Sequence, residues 1–285
     1  RYRVSGGEFG DYTVLSPTIS NNTISLTESL GDIYDFNHEY EFELVATDKL
    51  MTLIQTVKVS RGIPIIDIGE EDMAINEKPE LILLDVEATN NNKEPDYEAI
   101  EEFSKECFIP FCVGGGIKSI EHIKKLLRAG ADKVCINSEA YNNLDLIKDG
   151  AKLFGSQCIV ISIDFKCIEG KYYCFSKCGK NNTGILVEEW AKTVEEAGAG
   201  EIILTSIDKD GTMEGYDLEI IKKVSNIVNI PIIASGGAGG YEDMFTAIDY
   251  GKASAVAAAS IFHFTENTPK GAKIYLADRD IPTRI

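Results

Sequence analysis

The 285-residue chain is 44% hydrophobic and 26% charged, the balance of a soluble globular enzyme. Its 28 Lys and Arg stand against 46 Asp and Glu, a formal charge of −18 that argues against nucleic acid and anionic membranes as partners, since both call for a basic face. With no run of 18 apolar residues and no apolar leader at the start, neither a membrane span nor a secretory signal is expected, and the cytoplasm is the expected compartment.

In chain order, residues 1–60 read as a β-rich N-terminal extension. "GDYTVLSPTISNNTISLTESL" and "YEFELVATDKLMTLIQTVKVS" are rich in Thr, Val, Ile and Tyr, with turn residues between alternating stretches. The remainder, 61–285, reads as a second unit whose pattern is clear from about Pro79. There the apolar runs "ELILLDV", "FIPFCVGG", "KVCINS", "CIVISID", "EIILTSI", "IPIIASGG" and "SAVAAAS" alternate with amphipathic segments such as "DYEAIEEFSKE", "SIEHIKKLLRAGA", "LDLIKDGAKLFG", "LVEEWAKTVEEAGAG" and "DLEIIKKVSNIV". Parallel strands buried on both faces read as continuous apolar runs, and right-handed crossover helices join them. The predicted class is α/β, a (β/α)8 TIM barrel of ~250 residues, with a doubly wound open sheet as the alternative. The seven cysteines (Cys107, Cys112, Cys135, Cys158, Cys167, Cys174 and Cys178) include no CxxC pair and no zinc spacing. Several sit in apolar runs as small core residues, and the sequence calls for neither a metal nor a cofactor.

One device occurs twice. "FIPFCVGGGIKSI" at 108–120 and "NIPIIASGGAGGY" at 229–241 are 121 residues apart, and the offset holds without a gap. It carries Glu80 onto Glu201, Pro110 onto Pro231, Gly115 and Gly116 onto Gly236 and Gly237, Glu121 onto Glu242, and Gly130 onto Gly251. Two half-barrels related by a pseudo-twofold produce this pattern, and an open sheet gives no reason for it. Glycines at a strand's C-terminal end let backbone approach a ligand and present N–H groups at a helix start, where an anion is favoured. Two such loops on opposite sides of one barrel would bind the two phosphates of one long substrate.

"FIPFCVGGGIKSIEHIKKLLRAGADKVCINSEA", "FGSQCIVISIDFK", "GAGEIILTSIDKDGTMEGYDLE", "IPIIASGGAG" and "AAASIFHF" together resemble the cyclase subunit of imidazole glycerol phosphate synthase, over roughly Glu77 to Ile285. The resemblance implies a barrel that takes ammonia from a glutaminase partner. It turns a bisphosphate substrate into imidazole glycerol phosphate and an aminoimidazole carboxamide ribotide. "LLDVEATNNNKEPDYEAIEEFSKECFIPFC" and "GKNNTG" are similar to a paralogous branch tied to amidation of surface-polysaccharide sugars, again with an amidotransferase partner, and the sequence leaves both open.

The family's acid–base pair is two aspartates ending the first and fifth strands. Asp164 in "VISIDFK" matches the second; Asp67 in "RGIPIIDIG" matches the first. The resemblance places Gly115, Gly116, Asn137 and Ser138 at one phosphate, and Thr205, Gly236, Gly237, Ala259 and Ser260 at the other, with Asp210 of "DKDGT" touching substrate. At the opposite mouth it implies a charged ring through which ammonia enters, here Glu80, Lys133 and Glu201 with Arg61 as a fourth member, and Asp132 as a contact to the glutaminase. The sequence departs from the family between Asp67 and Asp85, where a long loop bearing a catalytic lysine and most of a first helix are missing. Two explanations stand: a degenerate first strand followed by a deletion, or a barrel fragment joined to a foreign β-module that loosely resembles phage tail structural proteins and has no turnover.

Overall fold

The computed structural model describes residues 79–90 and 93–283, together with the backbone of seven short strands before them. Those strands are β1 (Tyr2–Ser5), β2 (Thr13–Val14), β3 (Thr18–Ser20), β4 (Thr23–Ser25), β5 (Glu39–Phe42), β6 (Thr56–Ser60) and β7 (Ile63–Asp67). All their pairings are antiparallel: β2-β1-β5, β3-β4 and β6-β7. Arg61 lies outside the described residues.

The seven apolar runs that follow are strands of one parallel sheet. They are β8 (Leu81–Leu84), β9 (Phe111–Gly114), β10 (Lys133–Ile136), β11 (Ile159–Ile168), β14 (Glu201–Ser206), β15 (Ile232–Ser235) and β16 (Ala255–Val256). Their spatial order is their chain order, apart from an antiparallel hairpin, β12 (Lys171–Ser176) and β13 (Asn181–Leu186), which hangs on the end of β11. The helices α1 (Val86–Asn90), α2 (Tyr97–Glu106), α3 (Ile120–Arg128), α4 (Ser138–Asn142), α5 (Asp145–Phe154), α6 (Val187–Ala197), α7 (Leu218–Ser225), α8 (Tyr241–Asp249), α9 (Ser260–Phe264) and α10 (Pro269–Ala277) complete the alternation. This is the (β/α)8 barrel class, with seven strands in the parallel sheet among the described residues.

Local chemistry sets the helix bounds. Asp96 caps α2 by accepting from Ala99 N at 3.1 Å, and Ser119 caps α3 by accepting from His122 N at 3.3 Å. In α6 the positions Val187, Trp190, Ala191 and Val194 fall on one buried face, and the helix stops at Gly198, whose φ of 103° is left-handed.

Two layers of core follow from the strand alternation. Ile123, Leu126, Ile147, Val194, Ile220 and Val224 press the helices onto the outside of the sheet. Inside the curl, Cys112, Cys135, Val160 and Ile203 pack together with Ile82 and Ile233, one residue from each of six strands. This apolar plug separates a charged end from a polar end of the barrel.

The pairing bears on Asp67. The expectation of a first barrel strand ending at this residue is not met by the ladder: β7 runs antiparallel to β6, with Asp67 opposite Thr56, and the parallel sheet starts at β8.

Candidate active site at the C-terminal ends of the strands

β11 pairs in parallel with β10 over 159–161 and with β14 over 160–165, then continues as the first arm of the hairpin. Asp164 sits where the two regimes overlap, opposite Thr205 of β14 and Phe175 of β12. Its side chain faces a cleft of about 140 Å³ whose walls include Asp85, Gly115, Gly116, Asn137 and Ser138. Ser162, two residues earlier on the same face of β11, donates to Asp164 Oδ1 at 2.7 Å.

Burial raises the Asp164 pKa above its usual 3.8, the Ser162 hydrogen bond and nearby Asn137 pull it down, and the charge of Asp210 adds a further push upward. Asn137 Nδ2 is buried and makes no hydrogen bond of ordinary geometry among the described residues, although it lies close enough to Asp164 to stabilise the carboxylate. A carboxyl group with a raised pKa, open to a cleft, can both take and return a proton.

The glycines are there for close approach. Gly115 and Gly116 have φ of 109° and 68°, and a Cβ on Gly115 would lie 2.2 Å from Asp85 O. Gly236 and Gly237 have φ of 84° and 106°, and Gly237 O accepts from Gly215 N at 2.7 Å. In the first loop the Gly116 N–H donates to Thr89 Oγ1 at 3.2 Å. Ser138 begins α4, its Oγ accepting from Lys177 N at 2.9 Å, which ties the hairpin turn to the cleft. Ala259 caps α9 with Ser260 as its first residue, following β16 on the same rim.

At the other end, Lys133 Nζ lies 2.7 Å from Glu80 Oε1, and 2.7 and 2.9 Å from the two Glu201 carboxylate oxygens. Burial pulls the Lys133 pKa down, but the hydrogen bonds it donates to Glu201 and Glu80 outweigh this and leave the ammonium above its usual 10.5. Asp132, expected to face a partner, uses Oδ2 to accept from Phe111 N at 2.9 Å and so caps the start of β9.

Of the residues singled out in the sequence, Asp164, Gly115, Gly116, Asn137 and Ser138 converge on one cleft. Glu80, Lys133 and Glu201 meet at the opposite mouth. Thr205, Gly236, Gly237, Ala259 and Ser260 lie on strand ends and the loops that follow them, toward the other edge of the sheet from Gly115, and do not line that cleft. Ser162 and Thr89 were not singled out; a polar residue interrupting "CIVISID" two positions before the aspartate was the available signal for Ser162.

Fold and cleft define a (β/α)-barrel enzyme with its site on the C-terminal rim. The chain matches the profile of the histidine biosynthesis protein family over residues 72–268. It is 50% identical over 206 residues to the imidazole glycerol phosphate synthase subunit HisF of Dehalococcoides mccartyi strain BAV1, covering 72% of this chain and 81% of that one. The HisF subunit of Natranaerobius thermophilus is 48% identical over 206 residues (72% and 82%), and that of Prochlorococcus marinus MIT 9312 is 49% identical over 208 residues (72% and 81%). The chain therefore belongs to this family and is a HisF-type cyclase.

Proposed function

We infer that the barrel is the ammonia-consuming half of a glutamine amidotransferase pair. It closes the imidazole ring of a bisphosphate substrate, giving imidazole glycerol phosphate and an aminoimidazole carboxamide ribotide. The observation that carries this reading is the position of Asp164: a carboxylate with a raised pKa at a strand end, in one cleft with the Gly115–Gly116 loop. Asp164 is the proton shuttle for ammonia addition and ring closure. The two glycine loops hold the phosphates through backbone N–H groups, which a chain of charge −18 needs in place of a basic surface. Glu80, Lys133 and Glu201 form the gate on the partner-facing mouth. The similarity to subunits named for imidazole glycerol phosphate synthase supports the histidine route.

A second reading has one observation in its favour. On this reading, with Asp67 on the antiparallel β6-β7 ladder, the barrel would hold phosphates but lack the second aspartate of the acid–base pair, and would not turn over. Product formation from the bisphosphate with ammonium salts separates the two. Turnover lost in Asp164→Asn supports the cyclase; phosphate binding without turnover in the wild type supports the second reading; turnover that survives Asp164→Asn overturns the role given to Asp164.

A further inference from the structure

Three side chains of β11 point into the barrel in succession: Val160 in the apolar plug, Ser162 above it, and Asp164 at the cleft. Ser162 is 5% exposed and is one of three buried polar residues among those described, with Ser176 and Ser206. Its hydroxyl has a single hydrogen to give and gives it to Asp164 Oδ1 at 2.7 Å, the length of a charge-assisted O–H···O⁻ bond.

We propose that Ser162 is the positioning residue of the reaction: its hydroxyl holds Oδ1 of Asp164 from below and leaves Oδ2 as the oxygen that meets substrate. This rests on the acid–base role given to Asp164 above. With Oδ1 held, the carboxylate keeps one rotamer, and the oxygen facing the cleft does not alternate between turnovers. The hydroxyl is also spoken for as a donor, so toward the barrel interior it offers lone pairs alone.

The charge environment supports the same assignment. Asp164 is faced by Tyr141 from α4, Cys174 from β12, Cys178 from the hairpin turn and Asp210 from the loop after β14, while Asp85, Lys118 and Glu139 share the cleft. Burial pushes the Tyr141 phenol and the Cys174 and Cys178 thiols up, so they stay neutral near pH 7. Against burial and Asp210, the Ser162 hydroxyl is the largest influence that favours the ionised form. Removing it lets the Asp164 pKa rise further. The catalytic base is then titrated at higher pH, and the acid limb of the kcat profile moves up.

The test uses the whole chain and two readouts. Carbon-13 carboxyl NMR, with the Asp164 signal assigned by its loss in Asp164→Asn, gives the carboxyl pKa directly; ammonia-driven turnover gives the pH profile. Ser162→Ala is expected to raise the Asp164 pKa and the acid limb together by about one unit, the size of a charge-assisted hydrogen bond. Ser162→Thr, which keeps a hydroxyl, restores most of the shift. An unchanged carboxyl pKa in a folded Ser162→Ala overturns the proposal, as does an equal effect of Ala and Thr. A carboxyl pKa that moves while turnover stays indifferent to Asp164→Asn leaves the hydrogen bond standing and refutes the acid–base role instead.

Discussion

In the first copy of the repeated unit, Leu81 N donates to Pro110 O at 2.9 Å, and a Cβ on Gly115 would strike the carbonyl of Asp85. In the second, 121 residues on, Ile202 N donates to Pro231 O at 2.9 Å, and a Cβ on Gly236 would strike the carbonyl of Ser206. Every one of these residues is the 121-residue counterpart of its partner, so the repeat is one of backbone contacts as well as of letters. The side chains diverge. Asp85 becomes Ser206, and Lys133, which gathers both glutamates at the mouth, becomes Ser254, whose Oγ accepts from Ile232 N at 3.3 Å. In the first copy the N–H equivalent to that of Ile232 belongs to Phe111 and is capped by Asp132. Both halves satisfy the same strand start, each with a different side chain. The comparison teaches that close backbone approach at the rim is what the two copies have in common, while charge and chemistry are distributed between them. It also exposes an asymmetry: β14 is flanked by β11 with its Asp164, whereas β8 has β9 alone as a parallel neighbour among the described residues.

The strongest way to break the comparison is at that asymmetry. Asp164→Asn is expected to lower ammonia-driven turnover by about 10²- to 10⁴-fold, the usual range for a lost general acid–base, while binding of a bisphosphate persists. Isothermal titration beside a rate assay checks both halves of the statement; loss of binding along with turnover would make Asp164 a structural residue.

The glycines come next. Gly115→Ala places its methyl 2.2 Å from Asp85 O, and Gly236→Ala 2.7 Å from Ser206 O, both at left-handed φ. Each should cost roughly 1–3 kcal/mol in denaturant unfolding. The first should cost more, and equal losses would mean that the loops relax freely.

At the mouth, Glu201 makes two contacts to Lys133 with a side chain 20% exposed, and Glu80 makes one with a side chain 40% exposed. Glu201→Gln should therefore destabilise by about 1 kcal/mol and Glu80→Gln by less. Lys133→Glu should depress glutamine-driven turnover more than turnover on free ammonia, and an equal loss on both sources would remove the gate. Because the folded-state pKa of Lys133 is raised, the ring's stabilisation is fully present below pH 10.5 and is lost as pH climbs through the higher folded value. Smallest of all, Asp132→Ala and Ser254→Ala each uncap one strand start, at about 0.5–1.5 kcal/mol, and thermal melts of the two should agree.

The seven parallel strands and five of the helices that alternate with them were legible because burial on both faces forces unbroken apolar runs such as "CIVISID". The hairpin was not. "KYYCFS" and "NNTGIL" sit between a strand and a helix where a crossover connection is expected, and the left-handed Gly170 and Gly179 that turn it look like ordinary loop glycines. Charges at strand starts located the mouth, since Glu80, Lys133 and Glu201 each precede or begin an apolar run. The contact of Asp132 with Phe111 N was not legible, because it is a matter of register between neighbouring strands. The pairing of Asp67 was hidden for a related reason: "RGIPIID" is apolar and strand-like whichever neighbour it takes. Ser162 escaped notice because a serine within an apolar run reads as tolerated, and the hydrogen bond that explains it depends on the period of two that stacks 162 beneath 164.

The hairpin on β11 gives the acid strand a mechanical property. Where β10 ends, β12 takes over its side of β11, so that Asp164 and Phe165 are gripped by β14 on one flank and β12 on the other. A beam clamped along both edges does not pivot. The amides of this stretch should be among the last to exchange with deuterium, slower than those of the glycine loops a few ångströms away. The cleft thus has one stiff wall, and force applied to Asp164 by a bound molecule would pass outward along the hairpin.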